Sequence, residues 1–88
     1  MPELCKYKGM KIEMLYNEHN PPHFHVYYAG EYASFNLEGE IIAGKLKPKQ
    51  VKNVKNFIKE HKKELEENWK LSSEGKPLCK IKLQKQVS

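Results

Sequence analysis

The sequence predicts an α+β domain: an antiparallel meander of about four strands, one long amphipathic helix packed on one face, and room for a C-terminal edge strand. Three observations predict it. Apolar residues recur at period two in short runs as far as Gly44. Glycine-bearing turns separate those runs at short intervals, which joins neighbours as antiparallel pairs. From Gln50 the apolar period changes to 3.6.

The first strand is read as Met10–Tyr16, with Met10, Ile12, Met14 and Tyr16 on one face. A proline-rich loop follows. The second strand is Phe24–Tyr28, and Ala29-Gly30-Glu31 turns the chain with glycine free to take positive φ. The third strand is Tyr32–Leu37. Its Ala33, Phe35 and Leu37 face the core, and Tyr32, Ser34 and Asn36 face the other way. Glu38-Gly39 turns again into a short fourth strand, Glu40–Gly44.

Pro48 suits the first turn of a helix, where its missing N–H costs nothing. Val51, Val54, Phe57, Ile58, Leu65 and Trp69 then fall in one stripe on a helix of about 22 residues. Lys52, Lys55, Lys59, Lys62 and Lys63 form a basic ridge on the far side, with Glu66 and Glu67 one turn later. Ser72 to Pro77 reads as a loop. Leu78–Leu83 alternates with lysines and could add the edge strand, its charges blunting aggregation. The chain is read as one domain over residues 1–88, with its core at about 9–83 and a frayed tail from Gln84.

Thirty-nine per cent hydrophobic residues suffice for a folded core and exclude wholesale disorder. A chain of 88 residues has no room for a deep multi-part active site, so chemistry must sit in a shallow groove. No apolar run is long enough for a signal peptide or a membrane span, which makes the cytoplasm the expected compartment and a membrane partner unexpected. There Cys5 and Cys79 are expected as free thiols. The net charge of +5 is uneven: residues 1–44 carry three Lys and six Glu, residues 45–88 thirteen Lys and five Glu. A basic half suggests an anionic partner, RNA or an acidic protein. The absence of any Arg or Asp equally suggests a compositional bias of the genome.

Chemistry concentrates in Asn17-Glu18-His19-Asn20-Pro21-Pro22-His23-Phe24-His25. Two prolines stiffen the loop and push the residues before them into extended conformations. On the strand that follows, His23, His25 and Tyr27 share one face. Four readings follow. His19, His23 and His25 could ligate zinc or nickel, three imidazoles plus water being a catalytic zinc pattern; the nearest carboxylate, Glu18, is adjacent in sequence only. Alternatively, with no cofactor at all, two histidines could divide general base and acid roles in RNA cleavage, deprotonating a 2′-hydroxyl and protonating the leaving 5′-oxygen. Lys45 would then neutralise the phosphorane, Tyr27 and Tyr32 would stack bases, and Lys52, Lys55 and Lys59 would hold the backbone. His61 lies inside the apolar stripe, either as a buried hydrogen-bonded residue or reaching the other histidines. The third reading is a purely structural loop, and the fourth a non-catalytic binding module that meets protein or nucleic acid.

The string His19-Asn20-Pro21-Pro22-His23-Phe24-His25-Val26 resembles the hallmark of the domain-of-unknown-function 4160 family of small bacterial and archaeal proteins. The later Gly44-Lys45-Leu46, Val54, Phe57-Ile58-Lys59-Glu60-His61, Glu64-Leu65 and Asn68-Trp69 resemble its second block. The likeness spans Gly9 to Leu83. The family usually has Trp at the position of Phe57, a packing change, and Arg at several lysine positions, whose replacement removes a bidentate phosphate fork. The resemblance implies a toxin of a two-gene toxin–antitoxin pair, with a small acidic antitoxin as partner. It also keeps His61 a candidate and leaves room for a homo-oligomer.

Overall fold

Five strands follow one another in a single antiparallel sheet, ordered β1-β2-β3-β4-β5, and a helix closes the chain: β1 Glu3–Tyr7, β2 Met10–Glu13, β3 His23–Tyr28, β4 Glu31–Asn36, β5 Ile41–Lys45 and α1 Pro48–Ser73. The computed structural model describes residues 3–16 and 18–83. The expected α+β meander with its long helix is the observed architecture. The predicted strands correspond to β2 through β5.

The added strand, β1, pairs with β2 through a turn in which Lys8 (φ 49°) and Gly9 (φ 82°) both take positive φ. Ala29 and Gly30 make the same two-residue connection between β3 and β4. Positive φ at both central positions matches the right-handed twist of the flanking strands. β1 also carries a bulge: Glu3 faces Glu13 but Cys5 faces Ile12, so Leu4 is an extra residue. Leu4 is thereby buried, and Cys5 and Tyr7 also pack on the core. Burial pushes the Cys5 thiol up to about 12, with Glu3 and Glu64 adding to the effect, so this cysteine is inert at neutral pH. Both cysteines are free.

β2 ends at Glu13, shorter than predicted. Met14 is still buried, but Tyr16 is exposed and does not continue the face. Beyond it, Phe24, Val26, Ala33, Phe35 and Leu37 supply the buried face of the sheet, as the alternation predicts. From the helix, Val54, Phe57, Ile58 and Leu65 complete the core, with Val51 and Trp69 half-buried at its margin. Phe57 is central: its ring lies 5.1 Å from Tyr7 and 6.2 Å from Phe24. The helix has 26 residues, a little longer than expected, begins with proline in its first turn, and departs from helical geometry at His61 (φ −126°, ψ 25°). It ends at Gly75 in the left-handed region, with Lys76 N–H bonding Leu71 O and Gly75 N–H bonding Ser72 O.

The segment expected as an edge strand is not one. Residues 78–83 lie outside the sheet, joined to β1 by one backbone bond, Ile81 N–H to Leu4 O at 3.0 Å. A side chain does the rest. Asn68 accepts from Cys79 N–H at 2.7 Å and donates to Cys79 O at 2.9 Å. Ile81 is thereby seated in the core. The predicted frayed tail, residues 84–88, lies outside the described residues.

Candidate metal centre

The site lies on the face of β3 and β4 opposite their buried Phe24, Val26, Ala33 and Phe35, where Trp69 of α1 also reaches it. The β3–β4 register sets His25 opposite Ser34, His23 opposite Asn36 and Tyr27 opposite Tyr32, so the predicted alternation of β3 and β4 is observed. After β2 the chain buries Met14 and then returns across this face as a proline loop with a cis Asn20–Pro21 peptide. That return delivers Glu18.

Glu18 Oε1 receives both imidazoles, His23 Nε2 at 2.6 Å and His25 Nε2 at 2.8 Å. The other ring nitrogens are also engaged. His23 Nδ1 lies 2.8 Å from Pro21 O, and His25 Nδ1 lies 2.8 Å from the Tyr32 hydroxyl. A carbonyl only accepts, so His23 Nδ1 carries a proton. Its Nε2 then faces a carboxylate oxygen, another acceptor. That contact is complete only with a cation between the two, either a second ring proton or a metal ion. His25 has no such conflict, because the Tyr32 hydroxyl can donate to Nδ1 while Nε2–H donates to Glu18. Burial pushes the Glu18 carboxyl up, but the hydrogen bonds and charges of His25 and His23 outweigh it and hold the group below its ordinary range.

Aromatic rings wall the cluster. His23 and His25 meet edge to face at 5.2 Å, Trp69 lies 5.3 Å from His23, and Tyr32 stacks on His25 at 5.8 Å. Tyr27 leans on Tyr32, with the Lys11 ammonium 5.4 Å from the centre of its ring. Side-chain exposures of 14% for His23, 10% for His25 and 27% for Glu18 leave a small, mostly covered opening.

The predicted residues are sorted accordingly. His23 and His25 are brought together, and Tyr27 and Tyr32 lie beside them. His19 is exposed and does not belong to the group: among the described residues, the His, Cys and acidic side chains able to converge on one ion are Glu18, His23 and His25, with donor atoms within 4.8 Å of one another. Lys45 is exposed on β5, opposite Tyr32. His61 does not reach the cluster. Its Nδ1 meets Glu64 Oε1 at 2.5 Å and its ring packs on Phe57 at 5.1 Å, the hydrogen-bonded reading of that residue. Lys52, Lys55 and Lys59 are exposed along the helix, while Lys62 is paired with Glu38 at 3.2 Å. Sequence reasoning missed Glu18 and Trp69. An acidic residue five and seven positions ahead of a His-x-His pair, across a proline-stiffened return, is the signal that could have found Glu18.

These features define a class of protein: a small β-meander with one long helix, and a His–Glu–His cluster on β3 beside a helical tryptophan. The chain belongs to the family described as Domain of unknown function (DUF4160), whose model matches residues 9–70. That span takes in every member of the cluster together with Tyr32 and Trp69. No curated protein and no solved structure matches the chain. Among the described residues no helix is long and apolar enough to cross a membrane.

Proposed function

We propose that this domain binds a divalent transition metal through His23 Nε2, His25 Nε2 and Glu18. The observation that carries the reading is the convergence of one donor atom each from Glu18, His23 and His25 within 4.8 Å of one another, with the second ring nitrogen of each histidine tied to Pro21 O or the Tyr32 hydroxyl. Metal-bound imidazoles typically donate their second N–H to a carbonyl or similar partner, which fixes the tautomer; His23 has a carbonyl there and His25 a tyrosine hydroxyl. Two imidazoles and a carboxylate suit zinc, nickel or iron(II) and leave a position for water, the pattern of a Lewis-acid centre. Bonds of about 2.1 Å to an ion set tetrahedral donor separations of about 3.4 Å, so loading would lengthen the 2.6 and 2.8 Å contacts of Glu18 by about 0.6–0.8 Å. Metal-free acid–base cleavage of RNA is the weaker reading on this geometry, because both Nε2 atoms converge on Glu18 rather than on space for a phosphate.

Protein purified without a histidine tag and titrated with zinc or nickel should bind one ion per chain. His23→Ala, His25→Ala and Glu18→Gln should each weaken that binding a hundredfold or more, with unchanged circular dichroism. Binding no tighter than millimolar by the parent protein, or equal binding by the folded variants, would dispose of the proposal.

A second reading concerns the partner. Exposed Lys52, Lys55 and Lys59 support an acidic antitoxin-type protein or RNA lying along the helix, as expected of a toxin in a two-gene pair. Affinity for a single-stranded RNA should drop at least tenfold between low and physiological salt, and drop again in the triple Lys→Gln variant. No affinity at low salt would leave the ridge as composition alone.

A further inference from the structure

We infer that Glu13 is the second carboxylate of this centre, the acceptor for a water held at the open position of the ion. The inference rests on the metal-binding reading above and extends it to a residue outside the three ligands. Glu13 ends β2 directly across from His25, so the two side chains leave the same face of adjacent strands with Cβ atoms about 5 Å apart. It is 3% exposed, an unusual burial for a glutamate on the face away from the core. One oxygen, Oε2, is held by Lys11 Nζ at 3.2 Å. The other, Oε1, is buried with no hydrogen-bond partner, the lone such side-chain atom among the described residues. A buried acceptor left unpaired bears the full cost of its desolvation, and so calls for a partner.

The surroundings say what that partner is. The residues beside Glu13 on this face are His25 across on β3, Glu3 across on β1 and Lys11 two positions earlier on β2, so a second carboxylate adds to the negative charge there. Glu13 falls outside the group whose donor atoms lie within 4.8 Å of one another, which fits a carboxylate one water away rather than a direct ligand. Lys11 holds one oxygen and thereby turns the other into the site. A water on the ion would donate to Oε1, and the unpaired acceptor would be satisfied. The occupant is thus a hydrated cation, with Glu13 a positioning residue for its water.

The test compares zinc affinity in the parent, Glu13→Gln, Glu13→Asp and the exposed-carboxylate control Glu38→Gln, alongside the melting temperature of each metal-free protein. Glu13→Gln and Glu13→Asp should bind zinc at least tenfold more weakly, the scale seen for hydrogen-bond partners behind a metal site. The control should bind like the parent. The visible spectrum of the cobalt(II)-loaded Glu13→Gln protein should also differ from that of the parent. A merely structural carboxylate would change the metal-free melting temperature and leave affinity and spectrum alone, and that outcome overturns the inference. Should the parent itself bind no metal, the underlying reading fails instead, so the two failures are distinguishable.

Discussion

Phe57→Ala should lower stability by about 3–5 kcal/mol, the cost of removing a large buried ring and leaving its cavity. The ring is fully buried. It is also where three parts of the chain meet: Tyr7 from β1, Phe24 from β3 and His61 from the next helical turn. Each would lose a wall, and the backbone around them cannot collapse, because two belong to different strands of one sheet and the third to the helix. A chain of this size has a total stability of roughly 5 kcal/mol, so the variant should keep only about 0–2 kcal/mol and be marginally folded. Phe57→Leu, which refills most of the volume, should cost well under half as much. Urea denaturation followed by circular dichroism would measure both. A loss below 1 kcal/mol for the alanine variant would mean that the helix does not depend on this ring for its seat on the sheet.

Gly44→Ala should cost about 3 kcal/mol or more and should release β5 before the rest of the sheet melts. Gly44 has φ +75°, and a methyl group there would lie 2.2 Å from Tyr32 O and 3.0 Å from the Ala33 Cα. Positive φ alone costs a side chain about 1–2 kcal/mol. The contact adds to that, since both atoms it strikes are backbone and cannot rotate away. Gly30 separates the two effects. It has φ +82°, but a methyl there would meet nothing within 4 Å, so Gly30→Ala should cost only the conformational part, about 1 kcal/mol. Equal losses at the two positions would show that the contact is relieved by strand movement. Amide exchange in β5 would locate the damage, and exchange at Tyr32 would show whether it spreads to the residue that holds His25.

β2, β3, β4 and the apolar stripe of the helix were legible from residue spacing, because each side chain's environment there is decided by its own position in a repeat, whereas β5, exposed throughout, was legible only from the turn before it. The shared face of His23 and His25 was legible for the same reason. Three features were not. β1 hides behind the bulge at Leu4, which puts Leu4 and Cys5 on the same side and erases the period of two. Asn68 sits inside an apolar stripe, where a polar residue reads as noise until Cys79 is seen against it. Glu18 depends on a loop folding back over a sheet face, a tertiary event that no local period records. The exclusion of His19 has the same origin: proximity in sequence to two candidate ligands says little once prolines set the direction of the turn.

The amide of Asn68 has a further consequence. One flat group grips both backbone atoms of a single residue, as a neighbouring strand would. A slide of the terminal arm by one position would break both grips and carry Ile81 out of its socket at the same time. The arm can therefore be seated or released, with no stable misalignment between, and one carboxamide together with a single backbone bond to β1 sets the alignment of a segment outside the sheet.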